Sequence, residues 1–233
     1  MTTAPPLLAR AALFDLDGTL MDTAPDMAQA LNRLRAECGL PPLPYAVLRC
    51  EVSHGSLAVV RAGFPDADGV RFEQLRARFL TLYRECLTDR PQLIDGFEST
   101  LSALESAGLP WGVVTNKPGW LTDPLLQAAG LARRAGCVVA GDSLPERKPH
   151  PRPLLVAAGM LDVPPRHCVY VGDAQRDIDA ARAAGMLAIG ARFGYLRPTD
   201  RPEQWQADCW LDHPLELLPW LGLGSAARAH AHG

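Results

Sequence analysis

Apolar and polar positions follow two different rhythms along this chain. Residues 11–14 are four consecutive apolar positions that end abruptly at Asp15, Asp17 and Gly18. A run this short, closed by turn-forming residues, predicts a strand buried on both faces. From Asp22 to Arg90 the pattern switches to helical spacing with no clear strand. Pro25 fits a first helical position, Met27, Ala30, Leu31 and Leu34 share one face, and Gly39 is a stop. A second helix is predicted over 72–87 from Phe72, Leu75, Phe79, Leu82, Tyr83 and Cys86. Between the two lies a shorter helical region broken at Ser53-His54-Gly55-Ser56.

Beyond Asp95, helices that stop at glycine alternate with apolar runs. Strands are predicted at 111–115, 137–140, 167–171 and 187–189, and helices end near Gly108, Gly130, Gly159 and Gly185. The recurring Ala-Ala-Gly at 128–130, 157–159 and 183–185 is a shared way of ending a helix and not a solenoid repeat. Uninterrupted apolar strands between helices imply a parallel sheet covered on both faces. The expected fold is therefore α/β, a doubly wound parallel sheet built from 1–21 and 90–225 and interrupted by an all-helical cap at 22–89. Residues 226–233, with His230 and His232, form an expected frayed tail.

Composition narrows the picture by exclusion. The chain has 233 residues, 48% of them hydrophobic, and a formal charge of -3, which suits an ordinary globular protein. Its 23 basic residues are spread among 26 acids without a basic block, so no nucleic-acid partner is expected. No apolar run approaches the roughly 20 residues of a membrane span, and the N-terminus lacks a signal-peptide core, so the expectation is a cytoplasmic protein without a membrane partner. Cys38, Cys50, Cys86, Cys137, Cys168 and Cys209 show no metal-ligand spacing and read as reduced residues. Oligomeric state has no signature in the sequence.

Chemistry concentrates at predicted strand ends, where open α/β sheets bind ligands. The first strand delivers Asp15 and Asp17, two acids that the fold must have a reason to keep adjacent, and metal binding with nucleophilic or acid/base work supplies one. The second delivers Thr115-Asn116-Lys117, and the strand ending at Val171 delivers Gly172-Asp173 with Asp177 a helical turn later. Each alone fits a helix cap; their joint placement at one sheet edge is far less expected by chance. Lys117 and Lys148 are the two lysines of the chain, both followed by proline in loops of that edge, where a compact point charge has a use.

These residues, in this order, resemble the haloacid dehalogenase (HAD) superfamily, specifically its phosphatases with a helical cap after the first strand. Asp15-Leu16-Asp17-Gly18-Thr19 matches the first motif, Thr115 the second, Lys148-Pro149 the third, and Gly172-Asp173 with Asp177 the fourth. The resemblance implies a phosphoric monoester hydrolase in which Asp15 attacks phosphorus and Asp17 protonates the leaving group and then activates water. It implies Mg²⁺ held by Asp15, the backbone carbonyl of Asp17 and Asp173, with Asp177 holding ligands or waters around the ion. Thr115, Asn116 through its backbone, and Lys148 would bind the phosphoryl oxygens, with Lys148 also screening Asp15.

Substrate choice is expected from the cap, with Ser53, His54, Gly55 and Ser56 as specificity residues, joined by Lys117, and with Arg49 or Arg61 available for a substrate carboxylate. Thr115-Asn116-Lys117-Pro118 and Phe193-Gly194-Tyr195 look like phosphoglycolate phosphatases. The Gly39-Leu40-Pro41-Pro42 segment, the run from Trp111 to Pro118, and Asp212 to Leu217 look closer to N-acetylmuramic acid 6-phosphate phosphatases of peptidoglycan recycling. The preferred expectation is that sugar phosphate, with 2-phosphoglycolate as the alternative and a sugar phosphomutase or a noncatalytic phosphate sensor further off. His150, Arg152 and Ala174 depart from residues common in close relatives.

Overall fold

The computed structural model describes residues 9–89 and 91–223; the expected tail, with His230 and His232, lies outside them. Strand β1 (Ala11–Phe14) is central to a six-stranded sheet with β2 (Trp111–Val114), β3 (Cys137–Val139), β4 (Cys168–Gly172), β5 (Leu187–Ala191) and β6 (Cys209–Leu211). All pairings are parallel and the order is β3-β2-β1-β4-β5-β6. The direction of winding reverses between β1 and β4, and the crevice beyond that point is where such sheets bind ligands.

Side-chain alternation splits the strands between two apolar clusters. Ala12 and Phe14 join Val169 and Val171 on one face, while Ala11 and Leu13 join Cys168 and Tyr170 on the other. Helices α5 (Phe97–Ser106) and α6 (Gly119–Ala128) cover the first face through Phe97, Leu101, Leu104, Leu121 and Leu125. Helices α7 (Arg152–Met160) and α8 (Gln175–Ala183) cover the second through Leu154, Ala157, Ile178 and Ala181. With both faces covered, the strands lose the polar alternation of a half-exposed sheet. Strand β6 was not among the expected strands: its three residues, Cys209-Trp210-Leu211, stand between Asp208 and Asp212 and lack the β-branched run that marks the equally short β3.

Between Asp22 and Asp89 the described residues contain helices and no strand. They are α1 (Ala24–Glu37), α2 (Tyr45–Arg49), a 3-10 turn at Val52–His54, α3 (Gly55–Gly63) and α4 (Gly69–Cys86). Helix α4 buries the six residues that its periodicity predicts, Phe72, Leu75, Phe79, Leu82, Tyr83 and Cys86, and packs along α1. The expected break at Ser53-His54-Gly55-Ser56 is the handover from the 3-10 turn to α3, made at Gly55 with φ of 77°. The two connections to the sheet run side by side, with Asp22 N–H donating to Gln92 at 2.9 Å and Ile94 N–H to Leu20 at 3.1 Å. No described helix is long and apolar enough to cross a membrane, and all six cysteines are free thiols.

Candidate active site

Three carboxylates meet at the switch point. Asp15 follows β1, Asp173 follows β4, and Asp177 stands in the first turn of α8; one oxygen from each lies within 4.8 Å of the others, and all three residues are buried. Their approach depends on missing side chains. A Cβ on Gly18, whose φ is 82°, would lie 2.3 Å from Asp173 Oδ2, and one on Gly194 would lie 2.2 Å from Asp173 Cβ.

Lys148 is the internal counter-charge. Its Nζ lies 2.8 Å from Asp15 Oδ1 and 2.8 Å from Asp177 Oδ1, and it donates to Tyr170 Oη at 2.7 Å and to the Val114 carbonyl at 2.9 Å. The Asn116 side chain holds the lysine from behind, donating to the Lys148 carbonyl at 3.0 Å and accepting from its N–H at 3.1 Å. Arg176 places a second cation 3.9 Å from Asp15 Oδ2. Burial raises the Asp15 carboxyl above its usual range, opposed by Lys148 and reinforced by Asp177. Asp173 is pushed up to about 7, chiefly by burial and then by Asp15 and Asp177.

That charge balance bears on a metal. Crowded, buried oxygen donors suit a hard divalent cation, and Asp15 and Asp173 each have an oxygen free of a short ion pair to offer. Asp177 accepts from Ala174 N–H at 3.0 Å with one oxygen, while the other lies 2.8 Å from Lys148 Nζ without a hydrogen-bond partner among the described residues. The residues present fit Mg²⁺.

Asp17 faces elsewhere. Its Oδ1 accepts from Thr23 Oγ1 at 2.6 Å and from Lys117 Nζ at 2.9 Å, which puts the carboxylate outside the three-acid cluster and on the wall of a cavity. Lys117 also donates to Tyr83 Oη of α4 at 2.6 Å. Thr115 Oγ1 accepts from Lys117 N–H at 3.1 Å, which leaves its hydroxyl proton available.

The cavity, about 490 Å³, lies between cap and sheet edge and includes Asp15, Asp17, Thr115, Asn116 and Lys117 from below and Ser53, His54, Gly55 and Ser56 from above. Ser53 reaches furthest: its hydroxyl donates to Asp173 Oδ2 at 2.6 Å. The His54 ring is held toward its neutral form by burial, with Arg197 and Arg176 adding to the effect.

Arg49 and Arg61 do not meet this cavity, which corrects the expectation that they serve a substrate carboxylate. Arg49 lies 4.8 Å over the Tyr195 ring and donates to the Phe193 carbonyl at 3.2 Å; Arg61 lies 4.1 Å over Phe72. Their planar cations are spent on packing. Arg76, Arg147 and Arg176 line the cavity instead. Arg176 had a readable signal, since it lies three residues after Asp173 and directly before Asp177. Tyr195, from the Phe193-Gly194-Tyr195 run, locks cap to core: its hydroxyl donates to Asp22 Oδ1 at 2.5 Å and accepts from Ala24 N–H at 3.1 Å.

The haloacid dehalogenase-like hydrolase model matches residues 12–191. Over 208 residues the chain is 48% identical to a phosphoglycolate phosphatase of Xanthomonas campestris pv. campestris, covering 89% of this chain and 94% of that one. Over 210 residues it is 42% identical to an N-acetylmuramic acid 6-phosphate phosphatase of Pseudomonas aeruginosa, covering 90% and 93%. A crystal structure of a predicted phosphoglycolate phosphatase from Haemophilus somnus 129pt superposes with a TM-score of 0.81 at 29% identity, over 91% of this chain and 97% of that chain. The chain belongs to the haloacid dehalogenase-like hydrolase family and is a phosphoric monoester hydrolase.

Proposed function

We propose that this protein is a Mg²⁺-dependent phosphatase that hydrolyses a sugar phosphate, preferentially N-acetylmuramic acid 6-phosphate, through an aspartyl-phosphate on Asp15. The observation that carries the reading is the cavity itself: nucleophile and acid/base candidate form its floor, the cap forms its roof, and its volume of about 490 Å³ exceeds what a two-carbon acid phosphate fills. Arg76 and Arg147 supply cations for a carboxylate at the far end of the substrate. Among the described residues the Arg147 side chain has no hydrogen-bond or ion-pair partner.

Lys148 and Arg176 flank Asp15 and draw the phosphoryl group toward it, while the Thr115 hydroxyl donates to a phosphoryl oxygen. Asp15 attacks phosphorus, and the ester oxygen leaves with a proton from Asp17. Asp17 then takes a proton from the water that cleaves the aspartyl-phosphate. Asp15, the Asp17 carbonyl and Asp173 would hold Mg²⁺, which screens the phosphate charge from the attacking carboxylate. Asp177 keeps Lys148 in place.

The reading is tested by measuring phosphate release from a panel of esters with and without Mg²⁺. N-acetylmuramic acid 6-phosphate is expected to give the highest kcat/KM, and release is expected to depend on the metal. Turnover of 2-phosphoglycolate without turnover of the muramic acid ester would overturn the preferred substrate and favour the alternative supported by the relatives named for phosphoglycolate.

A further inference from the structure

Of the five tryptophans in the chain, Trp111 and Trp205 are buried, Trp210 and Trp220 are half-buried, and Trp120 keeps 46% of its surface exposed. Trp120 is the second residue of α6, three positions beyond Lys117, and lines the cavity that contains Asp15. It also lines an adjoining surface groove whose other walls are Ala77, Leu80, Thr81, Arg84 and Glu85 of α4. Leu80 belongs to both. Ala77, Leu80, Thr81 and Arg84 have the spacing of a single helix face. Cavity and groove thus adjoin at Leu80 and Trp120, which place an apolar pair beside the charged residues of the cavity.

A large aromatic ring half-exposed at the mouth of a charged site offers a flat apolar surface to an occupant with an apolar face. A pyranose has one: its C–H face packs on an aromatic plane while its hydroxyls stay outward, where Arg84 offers hydrogen-bond donors beside Thr81, bonded to the Ala77 carbonyl, and Glu85, paired with Arg33. An acyclic two-carbon acid has no such face. We propose that Trp120, with Leu80 opposite it, is the platform on which the pyranose ring of a sugar-phosphate substrate stacks. The inference rests on the sugar-phosphate reading above and extends it by assigning ring selection to the start of α6 and the face of α4, outside the Ser53–Ser56 loop.

The test compares wild type, Trp120→Ala and Trp120→Phe, with Mg²⁺ present, on N-acetylmuramic acid 6-phosphate and on the acyclic esters 2-phosphoglycolate and glycerol 3-phosphate. Trp120→Ala is expected to lower the preference in kcat/KM for the sugar ester over the acyclic esters by roughly tenfold, chiefly through KM for the sugar, and Trp120→Phe to restore most of it. A preference that stays unchanged in Trp120→Ala, whether or not both activities fall together, overturns the platform and leaves the sugar-phosphate reading standing. A wild-type enzyme that turns over the acyclic esters and no sugar ester removes that reading, and the platform with it.

Discussion

The sheet edge and the cap meet the same cavity with different physics. At the edge, Asp15, Lys148, Asp173 and Asp177 are each at most 3% exposed, and every charge is held by neighbours on two or more strands or loops. Across the cavity, Leu57 is 52% exposed and Ser56 and Arg76 hold each other at 3.2 Å near the surface. Buried charges tolerate few arrangements, because an unpaired one costs several kcal/mol. A half-exposed helical wall can change side chains at a fraction of that cost. The difference teaches how one chemistry could serve many substrates: under the proposed function, the reaction is assigned to the region where substitution is expensive and selection to the region where it is cheap.

The contrast is broken most directly at the nucleophile. Asp15→Asn is expected to cut phosphate release by about 10³-fold or more for every ester, with the thermal midpoint unchanged or raised because a crowded like charge is gone. Retained activity in a phosphate-release assay would refute the assignment of Asp15.

A smaller effect follows from Asp173. Its carboxyl is pushed up to about 7 by burial and by Asp15 and Asp177, so below that pH Mg²⁺ must displace a proton. Mg²⁺ affinity measured by calorimetry is expected to rise, by up to about tenfold per unit, from pH 5 towards 7 and to level off above. The metal-free protein is expected to show the opposite linkage. Its folded carboxyl binds the proton more tightly than the unfolded one, whose ordinary value is 3.8, so this contribution to stability is full below 3.8 and lost as pH rises through about 7. Affinity flat with pH would mean that Asp173 does not hold the ion.

The smallest effect is expected on the cap side. Ser53→Ala removes one hydrogen bond to Asp173, worth about 1 kcal/mol, while Tyr195 N–H still donates to the same oxygen at 2.8 Å. Kinetics on several esters are expected to show changes of a few fold that differ between substrates. A uniform loss as deep as that of Asp15→Asn would move Ser53 from selection into the reaction.

Much of this was legible in the linear chain. The four-residue run at 11–14 is a strand with the bounds its apolar pattern implies, and α4 buries the residues that its period selects. Asp15 and Asp173 could be named because each follows a strand end, and Lys148 because it is one of two lysines and stands before a proline in a loop of the same edge. Three features could not be read. Strand β6 lacks the β-branched run that marks the equally short β3, Arg49 and Arg61 carry the same charge as the arginines that do reach the cavity, and Trp120 looks like any apolar residue in a helix. Sequence spacing places a residue on an element; which side of that element faces a cavity depends on how elements pack.

The sequence by itself therefore determined most of the elements and the residues that gather at strand ends, because backbone periodicity and strand-end chemistry act over a few residues, while the class of reaction came from the family resemblance that those motifs carry. Tertiary structure alone decided which groups share charge and which line the cavity. Lys117 joins Asp17 to Tyr83, and Ser53 reaches Asp173. Each of these contacts spans the junction between cap and sheet, and its energy depends on distances of a few ångströms that no local pattern encodes.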